Sequence, residues 1–288
     1  MKIQELINRT TLDFEARGRF SPRLDAEILL AHCLKKDRLY LYMNPDLSLA
    51  ESDVCHFMQL ASRRQRGEPV AYILGRKEFW SVVFEVNHQV LIPRPETEIL
   101  VEECLKIHAL SNSGHFRILE LGTGSGVISV ILSLELKNAS LVATDISQEA
   151  MHVARRNAWQ YGVENRITFL VGNLFDPVSG KFDMIVSNPP YISEEEFEYL
   201  PVDVRMYEPP SALIAGPDGM AFHREIVHKS VDYLKAGGWL FLEIGSGQKE
   251  RIEMLLRAAN SFEEIRFRRD YAGFDRVVAA RKKQHSYG

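Results

Sequence analysis

The chain has 288 residues, 45% of them hydrophobic, enough for a sizeable core and, by length, about two domains. A formal net charge of −4 disfavours a generic nucleic-acid binder, and no apolar run approaches the length of a membrane span. Three cysteines, Cys33, Cys55 and Cys104, stand singly and the nine histidines form no ligand-spaced cluster with them, so neither a disulfide framework nor a metal site is expected.

The first 76 residues read as a small helical domain. The start Met1, Lys2, Ile3, Gln4, Glu5 lacks the apolar segment of a signal peptide, and the chain is expected to be cytoplasmic. Ser21 with Pro22 marks a helix start, and Leu24, Ile28, Leu29 and Leu30 supply its apolar face. Ser48 and Glu51 have capping-box spacing and predict a second helix through Phe57 and Leu60, with Gly67 as its stop. Arg63, Arg64 and Arg66 at its end have two readings: compensation of the helix dipole, or contact with a partner or its bound RNA.

Residues 77–93 form a linker whose alternation over 78–92 predicts a β-hairpin. Pro95, with Glu96 and Glu98, then opens the helix that begins a third segment, residues 94–288. There, strands at 118–121, 141–144, 167–171, 184–187 and 239–244 alternate with helical stretches, the pattern of a doubly wound α/β sheet. Gly237 and Gly238 read as the end of a helix before the fifth strand, and 264–268 with 276–280 as a closing hairpin.

The loop after the first of these strands is Gly122, Thr123, Gly124, Ser125, Gly126. Its third glycine comes one residue too early for the dinucleotide fingerprint, and no Gly-Lys-Ser/Thr follows, so NAD, FAD and a Walker loop are disfavoured. The loop suits S-adenosylmethionine, with backbone against the methionyl part and Glu120 near its ammonium end. Asp145 ends the next strand, where a carboxylate can accept from both ribose hydroxyls. Alone, it could equally cap the helix that starts near Ser147.

Asn188, Pro189, Pro190 and Tyr191 follow the strand that ends at Ser187. Consecutive prolines remove two backbone donors and stiffen the turn, which leaves the Pro189 carbonyl a free acceptor. With the Asn188 side-chain oxygen it can take both hydrogens of an NH₂ group, while Tyr191 offers a ring face to the planar system carrying it. The ligand is therefore expected to be an amide or an exocyclic amine. Ser193 and the acidic run Glu194, Glu195, Glu196, Phe197, Glu198 come next, read either as a solvated helix face or as a surface for a basic partner.

These motifs, together with Gly67, Glu68, Pro69, Val70, Ala71, Tyr72, Ile73, Leu74, Gly75 and with Ile92, Pro93, Arg94, Pro95, Glu96, Thr97, Glu98, resemble the HemK/PrmC protein methyltransferases. Further matches are Glu208, Pro209, Ala212, Leu213, Gly216, Asp218, Gly219, Gly237, Gly238 and Glu243, so the likeness covers nearly the full length. The resemblance implies a seven-stranded Rossmann-like methyltransferase sheet behind a small amino-terminal helical domain that recognises substrate. It implies methyl transfer from S-adenosylmethionine to the glutamine of the Gly-Gly-Gln motif in peptide chain release factors. Cofactor contacts fall on Gly122, Thr123, Gly124, Ser125, Gly126, Asp145 and on Gly172, Asn173, Leu174, Phe175; an acidic residue is common at the position of Asn173. Asn188, Pro189, Pro190 and Tyr191 take the substrate glutamine, with Asn188 bordering the cofactor as well. Asn188, Pro189 and Tyr191 are the expected catalytic residues, with no general base.

Two other classes share some of these features. The Asn-Pro-Pro-Tyr corner would also serve an amino methyltransferase acting on DNA adenine or RNA guanine, but no basic target-recognition domain is evident. A non-enzymatic interaction protein is disfavoured by the intact loop, acid and corner. The chain is expected to work as a monomer, without direct nucleic-acid contact.

Overall fold

The computed structural model describes residues 1–109 and 114–284. Two compact units emerge: Met1–Arg76 with Pro201–Tyr207, and Lys77–Leu200 with Glu208–Gly288.

The first unit contains α1 (Ile3–Glu15), α2 (Pro22–Leu34), α3 (Arg38–Met43), α4 (Glu51–Gln65) and α5 (Val70–Leu74). Their apolar faces meet in one core around Leu6, Phe14, Leu29, Leu30 and Phe57. Pro22 sits in the first turn of α2, where its missing N–H costs nothing. The capping box expected at Ser48 does not form. Ser48 bridges Lys2 instead, and α4 starts at Glu51 after Ala50, which offers no side-chain cap.

The arginines at the end of α4 divide. Arg64 is buried and binds Asp25 at 2.7 Å, with Asp203 at 3.7 Å, while Arg63 pairs with Glu68. The exposed side chain of Arg66 donates to Ser62. Arg64 is thus committed inside the unit. The Asp203 contact and the hydrogen bond from the Tyr207 hydroxyl to the Arg66 carbonyl, at 3.2 Å, explain why residues 201–207 belong here and not to the segment 94–288.

The second unit starts, from Lys77, within a hairpin of β1 (Arg76–Phe79) and β2 (Val82–Glu85), shorter than the expected 78–92, turning through Trp80 and Ser81 with positive φ. It is no free linker. Phe79 and Phe84 are buried in the core of this unit, and Glu85 pairs with Arg156 at 2.6 Å.

There follow α6 (Thr97–Ala109), β3 (Phe116–Leu121), α7 (Val127–Glu135), β4 (Ala139–Asp145), α8 (Gln148–Gln160), β5 (Ile167–Val171), β6 (Phe182–Ser187), α9 (Glu194–Glu198), α10 (Val202–Tyr207, in the first unit), α11 (Ala221–Tyr233), β7 (Leu234–Glu243), α12 (Lys249–Ala258), β8 (Phe262–Arg269) and β9 (Asp275–Lys282). The seven strands of the main sheet run β5-β4-β3-β6-β7-β9-β8, with β9 antiparallel to both its neighbours. This is the doubly wound, Rossmann-like sheet the sequence predicted. Apolar strands buried on both faces follow from helices covering both sides, and cores lie on each face.

Gly237 and Gly238 do not end a helix; α11 stops at Tyr233, and the glycines lie inside β7 at a bulge. Gly237 has φ +74°, and a Cβ on Gly238 would lie 3.1 Å from the Asp183 carbonyl oxygen. Only glycine lets the two strands approach there.

Candidate active site

The chain winds from β3 outward to β4 and β5, then returns to β6 on the other side of β3. Open α/β sheets bind ligands at such a reversal, beyond the carboxyl ends of the strands. Register brings the motifs level: Leu121 pairs with Thr144 and with Ser187, and Asp145 with Val171. The strands underneath are fully buried at Leu119, Leu121, Met184, Ile185 and Val186, each contributing roughly 1.5–3 kcal/mol. The site therefore stands on the buried centre of the sheet.

A cavity of about 280 Å³ opens at this point, lined by Glu120, Gly122, Thr123, Gly124, Ser125, Asp145, Asn173, Leu174, Asn188, Pro189 and Pro190. Of the residues singled out in the sequence, Gly126, Gly172, Phe175 and Tyr191 are not among its lining; Phe175 is buried in the core, and Gly172 packs against Pro177. Gly126 has φ +82°, and a Cβ there would meet Ala154 at 3.0 Å, so this glycine lets α8 close on the loop. Tyr191 turns its hydroxyl to Glu243 Oε1 at 3.3 Å, so the ring face expected for the substrate is not presented to the cavity. Burial and the Glu243 carboxylate push its phenol well above the ordinary range.

Glu120 is fully buried. Its Oε2 accepts from Thr123 Oγ1 at 2.7 Å and from Ser129 Oγ, while its Oε1 has no hydrogen-bond partner among the described residues. Burial pushes the carboxyl up to about 7, against the pull of the Ser129 and Thr123 hydrogen bonds. An orphaned buried acceptor at a cavity wall is costly unless a ligand donor meets it.

Asp145 accepts from the Gly124 N–H at 2.8 Å and from the Ser147 N–H at 2.9 Å. Burial raises its carboxyl, and these backbone donors pull it back. The cap of α8 is Ser147, whose side chain accepts from the Ala150 N–H, so the capping role is filled without Asp145. A carboxylate has about four lone-pair sites, and two remain for ligand hydroxyls.

At the corner, Asn188 Nδ2 donates to Thr97 Oγ1 at 3.1 Å. No donor among the described residues reaches Asn188 Oδ1 or the Pro189 carbonyl. The two acceptors expected from the sequence thus stand unpartnered at one end of the cavity.

Several further residues line the cavity: Arg94, Thr97 and Pro209, matched to the family in the sequence but given no site role there, and Ile146 and Phe222, which the sequence did not single out. Arg94 binds the buried Glu208 at 2.6 Å, and Glu208 also accepts from the Ile92 N–H. Thr97 donates to Glu243 Oε2 at 2.7 Å. His223, fully buried, donates Nε2–H to the Glu243 carbonyl at 2.9 Å, and burial lowers it to about 4. It stays neutral at physiological pH and does not line the cavity. No group of three or more His, Cys, Asp or Glu among the described residues is arranged to hold a metal ion.

Residues 5–75 match the PrmC N-terminal domain family, and residues 97–208 the methyltransferase small domain family. The release factor glutamine methyltransferase of Coxiella burnetii is 42% identical over 263 residues, spanning 91% of this chain and 92% of that protein. That of Vibrio cholerae is 40% identical over 283 residues, spanning 98% and 97%. A methyltransferase from Pyrococcus furiosus shares the fold with a TM-score of 0.52 at 19% identity, over 77% of this chain and 97% of that one. A T. Thermophilus 16S rRNA N2 methyltransferase, in complex with AdoMet and guanosine, does so with a TM-score of 0.53 at 16% identity, over 72% and 50%.

Proposed function

Because the chain belongs to the release factor glutamine methyltransferase family, we propose that it transfers a methyl group from S-adenosylmethionine to the side-chain amide nitrogen of the Gly-Gly-Gln glutamine in peptide chain release factors, and so modulates translation termination. The observation that carries this reading is the pair of unpartnered acceptors, Asn188 Oδ1 and the Pro189 carbonyl, beside the glycine loop. A primary amide has two N–H groups to give, and the pair can take both.

The cofactor suits the cavity by its donors and charge. Glu120 Oε1 would meet the ammonium group, Asp145 the ribose hydroxyls, and Asn173 and Leu174 the base. When bound, S-adenosylmethionine supplies an electrophilic methyl on a positively charged sulfur.

The chain's own part is positioning. An amide nitrogen is planar and weakly nucleophilic, because its lone pair is shared with the carbonyl. Asn188 and Pro189 hold both its hydrogens in one plane, which turns the nitrogen's π face outward along a single direction. As the nitrogen gains positive character, both acceptor bonds strengthen, and the corner stabilises the transition state more than the ground state. The nitrogen exchanges one N–H for N–CH₃, and that proton leaves to water. No side chain need act as base, and His223 is buried away from the cavity. Pro189, Pro190, Pro209 and Phe222 bring no side-chain donor to compete with the substrate for the acceptors.

The helical unit would recognise the release factor, and the enzyme would act as a cytoplasmic monomer without touching nucleic acid itself. The deciding experiment incubates the protein with methyl-labelled S-adenosylmethionine and, in parallel, a release factor, the same factor with the Gly-Gly-Gln glutamine changed to alanine, and DNA. Label is expected in the first alone. Label in DNA, or undiminished label in the alanine factor, would overturn the reading.

A further inference from the structure

An asparagine amide is nearly symmetric in shape, yet only one of its orientations can serve this corner. With Oδ1 forward it accepts a substrate N–H; with Nδ2 forward it sets donor against donor. Something must decide between the two.

Thr97, at the start of α6, lies between Asn188 and Glu243, at the end of β7. We propose that Thr97 and Glu243 are positioning residues, which fix the orientation of the Asn188 amide so that its oxygen faces the substrate; this rests on the glutamine-methylating function given above.

The argument is one of hydrogen counting. A hydroxyl has a single hydrogen and two lone pairs, and a carboxylate only accepts. Thr97 Oγ1 lies 2.7 Å from Glu243 Oε2, so its hydrogen is committed there. What remains toward Asn188, 3.1 Å away, is a lone pair, which only an N–H can answer. A flipped amide would put two oxygens at that distance. Nδ2 is held against Thr97, and Oδ1 is left for the ligand.

Glu243 itself is fully buried, does not line the cavity and spends its other oxygen on the Tyr191 hydroxyl. This gives Tyr191 a place in the same chain, as a donor that keeps Glu243 in its acceptor role. Arg276 provides a nearby positive charge that favours the carboxylate, and Glu96 a negative one that opposes it. Burial holds the Glu243 carboxyl up at about 7, so the relay is set in its working direction on the alkaline side of that value.

The test uses the full chain at about pH 8, where the unperturbed and the raised carboxyl are both ionised. Thr97→Val keeps the shape and removes the hydroxyl. Its turnover on release factor should fall roughly 10- to 100-fold, with the KM for release factor and the Kd for S-adenosylmethionine within about threefold of wild type. Thr97→Ser keeps the hydroxyl and should recover most of the loss. In ¹⁵N-labelled protein, the Asn188 side-chain NH₂ signal, recognised by its disappearance in Asn188→Ala, should move in Thr97→Val and stay in Thr97→Ser. Wild-type turnover in Thr97→Val, equal loss in both variants, or an unmoved NH₂ signal would each overturn the proposal. Should Thr97→Val fail to fold, Glu243→Gln serves: an amide can offer Thr97 either end, so turnover should drop several-fold and the Asn188 signal should shift, and no change in either counts against the relay. The NH₂ signal needs no methylation to be read, so a wild-type protein inactive on release factor but with that response intact would refute the function and leave the relay standing.

Discussion

Leu121 and Ser187 are register partners on the two central parallel strands, and the Ser187 hydroxyl donates to the Leu121 carbonyl at 2.7 Å. The bond ties the last residue before the glycine loop to the last residue before the Asn-Pro-Pro-Tyr corner. Glycine loop and Asn-Pro-Pro-Tyr corner thus share one origin in the sheet. Perturbations of either are expected to separate cleanly into effects on binding and effects on turnover.

Asp145 should report on binding. Its carboxylate holds Gly124 and Ser147 through their N–H groups and faces the cavity. Asp145→Ala is expected to raise the cofactor Kd tenfold or more, since a hydrogen bond to a charged group contributes about 1.5–3 kcal/mol. Calorimetric titration checks this, and an unchanged Kd would remove Asp145 from the ribose.

Glu120 should give cofactor binding a pH dependence. Its folded value of about 7 lies above the ordinary 4.5, so the free folded protein holds the proton more tightly than the unfolded chain does. The Glu120 contribution to the stability of the free protein is therefore full below about 4.5 and is lost as pH rises toward 7. Glu120→Gln lacks this loss, and its melting temperature relative to wild type should climb across that window. A cationic ligand group favours the ionised carboxylate, so wild-type cofactor affinity should strengthen as pH rises through 7 while that of Glu120→Gln stays level. Parallel titration curves for the two proteins would sink the ammonium assignment.

Asn188→Asp tests the corner from the other side. The new carboxylate would set an oxygen where Nδ2 now donates, against a Thr97 oxygen whose hydrogen is committed to Glu243. Turnover should fall by roughly 100-fold, the scale seen when one preorganised polar contact to a transition state is removed. Cofactor affinity should hold or improve, since the added negative charge favours the sulfonium over the neutral sulfur left after transfer. Rapid-quench measurement of a single turnover, beside a binding titration, checks the split.

Arg64 should prove structural and Arg66 dispensable. Arg64→Ala would leave Asp25 buried without its partner, at a cost of about 3 kcal/mol or more. Arg66→Ala removes an exposed side chain whose own bond goes to Ser62, and is expected to stay within about 0.5 kcal/mol. Urea denaturation of both variants decides, and equal stabilities would mean the buried pair contributes nothing net.

The part of the site that was legible in the sequence is the part built from contiguous stretches. Gly122 to Gly126, Asp145 and Asn188 to Pro190 each follow a buried apolar strand, and a strand end is readable from a short window. Thr97 and Glu243 are 146 residues apart, and Arg94 and Glu208 are 114 apart. Their pairing depends on how α6 and the residues before it lie against the sheet, which no local pattern encodes. Local signals also misled where a neighbour outcompeted them. Ser48 bridges Lys2 and does not cap α4, and Gly237 and Gly238 serve strand approach where composition read a helix stop. The Tyr191 hydroxyl's bond to Glu243 could not be read locally either, because Glu243 arrives from another strand.

The membership of residues 201–207 in the helical unit has a consequence for how the protein is made. A ribosome releases Met1–Arg76 first, but the carboxylate of Asp203 and the hydroxyl of Tyr207 are not yet synthesised. At roughly 5–20 residues per second, the wait for them is on the order of ten seconds. Throughout that interval the nascent unit lacks α10, and it completes itself only after Asn188 to Tyr191 have left the ribosome. Final assembly of the helical unit is thereby timed to follow translation of the Asn-Pro-Pro-Tyr corner.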